Sequence, residues 1–176
     1  MKHRPFRPVL VRGVTLIELM VVVALVAVLS AIAVPSFRNL LLNQRLAAGT
    51  SDFMAALSLA RSEALQRAQT VTLSPATGKD WSTGWEVKTG VGSATQTLRR
   101  FEPLSTGVAV DGSLSSIGDT VKYDSSGFAL GSAGCLALKA DSGRRSAVVI
   151  SFSGRPKVCD PDKKGECADS KCNAGT

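Results

Sequence analysis

At 176 residues with a formal net charge of +7, the chain has room for one modest globular domain beside a strongly apolar amino-terminal stretch. Lys2, Arg4, Arg7 and Arg12 supply four of the positive charges, and residues 36–176 hold 17 Lys and Arg against 13 Asp and Glu. That balance excludes a histone-like polycationic coat, and with His3 as the one histidine, residues 14–176 lack the imidazole of a Ser-His-Asp or Cys-His arrangement.

The first predicted element is a basic leader, residues 1–13, ending at Gly13. An apolar run from Val14 to Val34 follows, about 32 Å long as a helix at roughly 1.5 Å per residue. That length matches a hydrocarbon core of about 30 Å. An ordinary secretory signal places its apolar region ahead of the cleavage site. Here the order is reversed, so a cut between Gly13 and Val14 removes the leader and leaves the apolar segment, residues 14–35, on the product. The positive-inside tendency puts the leader on the cytoplasmic face and everything after Pro35 on the exported side. Glu18 is the one carboxylate in the run. Burying it costs on the order of 2.5–3.5 kcal/mol at the centre of a membrane helix. Two readings stand: a solvated group near the membrane surface, or a charge paired within an assembly.

The helical pattern continues over residues 36–70. Leu46, Phe53, Leu57, Ala60, Ala64 and Ala68 recur on one face, with Arg38, Arg45, Asp52, Glu63 and Arg67 largely on the rest of the surface. Pro35 lacks the amide donor of a helix interior, which predicts a kink or local unwinding, and Gly49 is a second weak point.

From Val71 the pattern changes to short strands over Val71–Leu73, Trp85–Lys88, Gln96–Phe101, Val108–Val110, Thr120–Tyr123, Cys135–Lys139 and Ala147–Phe152, separated by Gly, Ser, Asp and Pro clusters. Asp141-Ser142-Gly143-Arg144 and Ser153-Gly154 read as hairpin turns. Long helix and strands together predict an α+β fold, with a mainly antiparallel head over residues 71–159. A looped, cysteine-tethered tail occupies residues 160–176.

All four cysteines, Cys135, Cys159, Cys167 and Cys172, fall on the exported side, where an even number reads as two disulfides. If Cys135–Lys139, Ala147–Phe152 and Arg155–Cys159 are consecutive strands, Cys135 and Cys159 stand two strands apart. That is roughly 9–10 Å, beyond disulfide reach. Bonds from Cys135 and Cys159 into the tail at Cys167 and Cys172 are therefore favoured. Zinc held by Cys159, Cys167 and Cys172 is a second reading, against which their spacing offers no close pair.

Gly13-Val14-Thr15-Leu16-Ile17-Glu18 resembles the class III signal of type IV pilins and type II secretion pseudopilins. The resemblance implies that a prepilin peptidase cuts after Gly13 and methylates Val14, and that Glu18 pairs with the amino terminus of a neighbouring subunit. Val14 departs from the phenylalanine or methionine usual at that position, which puts efficient methylation in question. Further on, Ala60-Arg61-Ser62-Glu63-Ala64-Leu65-Gln66-Arg67, Val71-Thr72-Leu73, Trp81 with Gly84-Trp85, Tyr123-Asp124-Ser125-Ser126-Gly127 and Ser153-Gly154-Arg155-Pro156-Lys157 follow one another in an order similar to that of the GspH/FimT family of minor pilins and pseudopilins. This resemblance implies a type IV pilin-like fold. It also implies an inner-membrane protein, single-pass with a periplasmic head, that enters a pilus or pseudopilus alongside other minor and major pilins or pseudopilins. Trp81 and Trp85 read as head packing, with a ligand platform as the alternative.

No enzyme motif survives inspection. Gly78-Lys79 has Leu73 and Asp80 where a phosphate loop needs glycine and a hydroxyl residue, and Gly90-Val91-Gly92 has Thr95 at the third glycine of a dinucleotide fingerprint. Asp160-Pro161-Asp162 with Gly165 carries Lys164 and Lys171 where a calcium loop needs oxygen ligands. No cofactor or metal is expected. Two non-catalytic classes remain. One is an assembly subunit, of a type IV pilus in the first reading and of a type II secretion pseudopilus in the second. The other is a binding module, since some members of the family bind DNA through a Gly-Arg-x-Arg ending. Gly154-Arg155-Pro156-Lys157 matches three of its four positions, and Arg144 and Arg145 could join the same surface. Four cations predict weak, salt-dependent, sequence-independent contact with double-stranded DNA; the alternative is four solvated charges at strand ends.

Overall fold

The computed structural model describes residues 13–90, 94–131, 133–167 and 172; the leader up to Arg12, with its four cations, lies outside them. The chain divides into two compact units, one reaching to Arg38 and the other starting at Asn39.

One helix, α1, spans Leu16–Arg67. Its sequence up to Arg38 is almost wholly apolar and fully exposed in the isolated chain, long and apolar enough to cross a membrane by length and composition. Thr15 caps it: its Oγ1 accepts the Glu18 N–H at 3.3 Å, so Thr15 is the Ncap residue and Glu18 stands at N3. The helix continues through Pro35 and Gly49. One lost hydrogen bond is a small fraction of so long a ladder. Gly49 has a packing reason: a β-carbon there would stand 3.1 Å from Leu104 Cδ2 and 3.7 Å from Leu138 Cδ1.

In the second unit α1 buries Leu46, Thr50, Phe53, Ala56, Leu57, Ala60 and Ala64. The small residues let the helix approach the sheet closely. Thr50 satisfies its hydroxyl by donating to Leu46 O at 2.8 Å. Ala68 is not on this face, contrary to the sequence periodicity. The helix ends at Arg67, Ala68 takes φ 52°, and Gln69 N–H donates back to Ala64 O at 3.3 Å, the reversal of a Schellman cap.

Among the described residues eight strands follow: β1 Val71–Thr77, β2 Asp80–Thr89, β3 Gln96–Phe101, β4 Val108–Val110, β5 Val121–Tyr123, β6 Gly134–Ala140, β7 Arg145–Ile150 and β8 Pro156–Cys159. They form two four-stranded sheets with antiparallel pairings, ordered β3-β2-β1-β5 and β4-β6-β7-β8. β1 and β2 extend well beyond the expected Val71–Leu73 and Trp85–Lys88. Pro75 is tolerated inside β1 because β5 pairs only as far as Leu73, so Pro75 lies where that side of β1 is an edge. β7 stops at Ile150, two residues short of expectation, because Ser151 already closes the next turn: its N–H donates to Arg155 O at 3.2 Å.

Leu73, Trp85, Val87, Val121 and Tyr123 of the first sheet and Leu136, Leu138, Val148 and Ile150 of the second join the α1 face in one core. Phe53 meets Trp81 and Trp85 edge-on, with centroids 5.5 and 5.3 Å away, and Trp81 Nε1 donates to Gly118 O at 3.1 Å. Both indoles are buried, which removes the ligand-platform reading. The opposite face of β6–β8 carries a second cluster, Cys135, Ala137, Ala147 and Cys159 with Cys167 and Cys172. The period-2 alternation of a strand thus yields two buried faces.

Candidate functional surfaces

At the amino-terminal end, Gly13 and Val14 precede α1 and are exposed. Glu18 sits in the first turn with its side chain exposed, and helix geometry there favours a carboxylate through the positive end of the macrodipole. The capping role of Thr15 was readable in Thr15-Leu16-Ile17-Glu18 from its Thr-x-x-Glu spacing alone.

The carboxy-terminal hairpin is built around Gly154. Its φ is 74°, and a β-carbon on it would stand 2.2 Å from Gly127 O and 2.9 Å from Tyr123 Cε1. The same Gly127 O accepts the Arg61 Nε–H at 3.0 Å. Residues from three separate sequence motifs therefore meet here: Arg61 of α1, Tyr123 with Gly127, and Gly154. Among the described residues the buried Tyr123 Oη has no hydrogen-bond partner, and burial pushes its phenol up to about 12.

Arg155 and Lys157 flank Pro156 and are exposed. They project from one face, as residues i and i+2 of a strand do. Lys157 pairs with Val149, which pairs with Cys135, so that face is the disulfide side of the sheet. Val149, Ser151, Pro156, Cys159 and Glu166 complete the cleft they line. Among the described residues neither cation has an ion-pair partner. The ladder alternates in phase with the Ser151–Arg155 bond, so the backbone of Pro156 and Val158 faces outward along the sheet edge. Asp160 N–H is capped by Glu166 Oε1 at 3.3 Å.

Arg144 and Arg145 do not join this pair. Arg145 opens β7 and stands four residues from Val149, about 14 Å along the strand. Its Nε lies 3.6 Å from Asp162 Oδ1. Arg144 closes the Asp141–Gly143 turn, its carbonyl accepting Ala140 N–H at 2.9 Å. Both arginines line a different cleft, with Asn43, Leu46, Asp160 and Lys163. The expected four-cation surface is thus two separated pairs, because Arg144 and Arg145 stand at the start of β7 while Arg155 and Lys157 follow the turn at its end.

The disulfides join Cys135 to Cys172 and Cys159 to Cys167, with Cα–Cα distances of 6.2 and 5.2 Å. Every cysteine sulfur is thereby committed, which overturns the zinc alternative. Cys135 and Cys159 stand on β6 and β8 with β7 between them.

Comparison with known proteins bears on both surfaces. Residues 49–154 match the family model described as type II transport protein GspH, and residues 10–34 match that of the prokaryotic N-terminal methylation motif. The Pseudomonas aeruginosa type IV minor pilin FimU is similar in fold, with a TM-score of 0.58 at 16% identity over 71% of this chain and 96% of its own. So is the minor pseudopilin EpsH of the Vibrio cholerae type 2 secretion system, with a TM-score of 0.54 at 14% identity over 68% of this chain and 99% of its own.

Proposed function

The chain belongs to the GspH family of minor pilins and pseudopilins, and from that premise we propose that it is a non-catalytic minor subunit of a type IV pilus, acting at or near the tip in assembly initiation. A prepilin peptidase cuts between Gly13 and Val14 and methylates Val14. The apolar half of α1 then anchors the subunit in the inner membrane with the head in the periplasm, and Glu18 pairs with the amino terminus of a neighbouring pilin. The observation that supports the pilus reading over a type II secretion pseudopilus is the Ser153-Gly154-Arg155 ending with its nearby cysteines, which resembles the FimT/FimU branch of the family. Deletion of the gene tests it: loss of twitching and DNA uptake with normal export of secreted enzymes supports the pilus, and the reverse pattern assigns the subunit to secretion.

A second reading is supported by the same turn. Arg155 and Lys157 share a face and have no ion-pair partner among the described residues, so they are available to a phosphate backbone. Two cations give weak, sequence-independent DNA binding that falls steeply with salt, strengthened where several copies engage one molecule. A salt series of band shifts comparing wild type with Arg155→Gln/Lys157→Gln tests it; equal binding by both returns the residues to solvated charges.

A further inference from the structure

The head carries two aromatic rings that its core does not use. Phe152 is 73% exposed and Phe128 is 53% exposed. They stand on adjoining turns, since Ala129 N–H donates to Phe152 O at 3.2 Å and Gly154 is seated against Gly127 O. Both turns are braced from within. Asp124 Oδ1 accepts the N–H groups of Ser126 and Phe128 at 2.8 and 2.9 Å, and Gly154 N–H donates to Ser151 O at 2.9 Å. Phe152 lies inside the turn that the Ser151–Arg155 bond closes, three residues before the open guanidinium of Arg155.

Rings on braced turns, with Phe152 three residues before Arg155 and neither Arg155 nor Lys157 ion-paired among the described residues, suit a nucleic acid whose bases are free to stack. A single strand offers bases to the rings and phosphates to the cations, whereas a duplex offers phosphates alone and keeps its bases inside. Leaving two phenylalanines in water gains the free head nothing, since their apolar surface is worth more when covered. Glu166 also lines the cleft of Arg155 and Lys157, but its carboxylate is engaged by Lys163 at 3.5 Å and by the Asp160 N–H at 3.3 Å. We propose that Phe128 and Phe152, with Arg155 and Lys157, bind unpaired bases of single-stranded DNA, so that this surface prefers a single strand or a frayed end to intact duplex. The proposal rests on the DNA-binding reading above and adds its base-stacking component.

The test uses the full chain in detergent micelles at low salt, with a labelled oligothymidylate and a duplex of equal length followed by fluorescence anisotropy. Wild type binds the oligothymidylate more tightly than the duplex. Phe152→Ala and Phe128→Ala each weaken oligothymidylate binding about tenfold, the loss of one stacked base, and leave duplex binding unchanged. Arg155→Gln/Lys157→Gln weakens both. Phe152→Trp, which keeps a stacking ring, retains the affinity, and its added indole emission is quenched by the oligothymidylate; this guards against a folding artefact. Duplex bound as tightly as single strand, or phenylalanine variants that bind oligothymidylate normally, overturn the stacking proposal and leave the cation reading intact. Wild type that binds neither probe overturns both. Phenylalanine variants that lose only incorporation into sheared pilus fractions assign the tip to a protein neighbour instead and overturn the proposal.

Discussion

Gly154 is seated so close to Gly127 that a β-carbon on it would stand 2.2 Å from the Gly127 carbonyl oxygen. The contact fixes the turn that presents Arg155 and explains a glycine at the head of Gly154-Arg155-Pro156-Lys157 by steric need. Gly154→Ala combines a left-handed φ of 74° with a clash against backbone, and should destabilise the head by about 2 kcal/mol or more. Urea denaturation of the full chain in detergent checks this. A variant as stable as wild type would show that the turn yields without cost.

Ala68 holds φ 52° at the helix position where glycine is favoured. Ala68→Gly should therefore stabilise the head by about 1 kcal/mol, read as a higher urea midpoint with unchanged slope. A lower midpoint would mean that flexibility gained in the unfolded chain outweighs the relieved strain.

The two disulfides should contribute unequally. They close sequence separations of 37 and 8 residues, and chain entropy assigns them roughly 4 and 2.5 kcal/mol. Cys135→Ala/Cys172→Ala should thus cost more stability than Cys159→Ala/Cys167→Ala. Non-reducing peptide mapping should find the two native pairs, and a Cys135–Cys159 peptide would contradict the strand order β6-β7-β8.

Acid sensitivity should trace in part to Glu86. It is 4% exposed and held below its ordinary value of 4.5, first by its hydrogen bond with Lys88 and then by Arg100, against the opposing effect of burial. Its folded pKa lies below its unfolded one. Its contribution is therefore full above about pH 4.5 and lost as pH falls through the folded pKa. Asp80 and Asp111, lowered chiefly by hydrogen bonds with Ser82 and Ser113, act in the same direction. Glu86→Gln should flatten the acid limb of a stability-against-pH curve without removing it; an unchanged limb would exclude Glu86 as a contributor.

Processing and assembly should separate in two measurements. Intact mass should place the mature amino terminus at Val14 in cells with prepilin peptidase. Glu18→Ala should be cut normally and keep a folded head, yet be depleted from sheared filament fractions. Because Thr15 also caps α1, Thr15→Val serves as the control for a helix-end effect: only Glu18→Ala should lose assembly if pairing is the cause.

The long helix, the antiparallel head and most strand positions were legible because apolar periodicity and turn residues agree locally. The division into two sheets was not, since no local pattern says which strands pair across a core. The ends of β1 and β2 were missed because Ser74-Pro75 and Asp80 to Gly84 belong to the Gly, Ser, Asp and Pro clusters that separate strands in the sequence, while a strand tolerates proline where its neighbour has ended. Ala68 misled in the other direction, continuing the apolar stripe one turn past the true end. The candidate cations were legible as residues, but their separation depends on β7 running between Arg145 and the Ser151–Arg155 turn.

Pro156 has a consequence beyond its own turn. With its missing donor on the outer edge of β8, and the Asp160 amide taken by Glu166 Oε1, that edge offers an incoming strand one amide donor, that of Val158, among the described residues of β8. Heads crowded side by side are thereby discouraged from zipping together through β8, one of the edges that the two sheet orders leave.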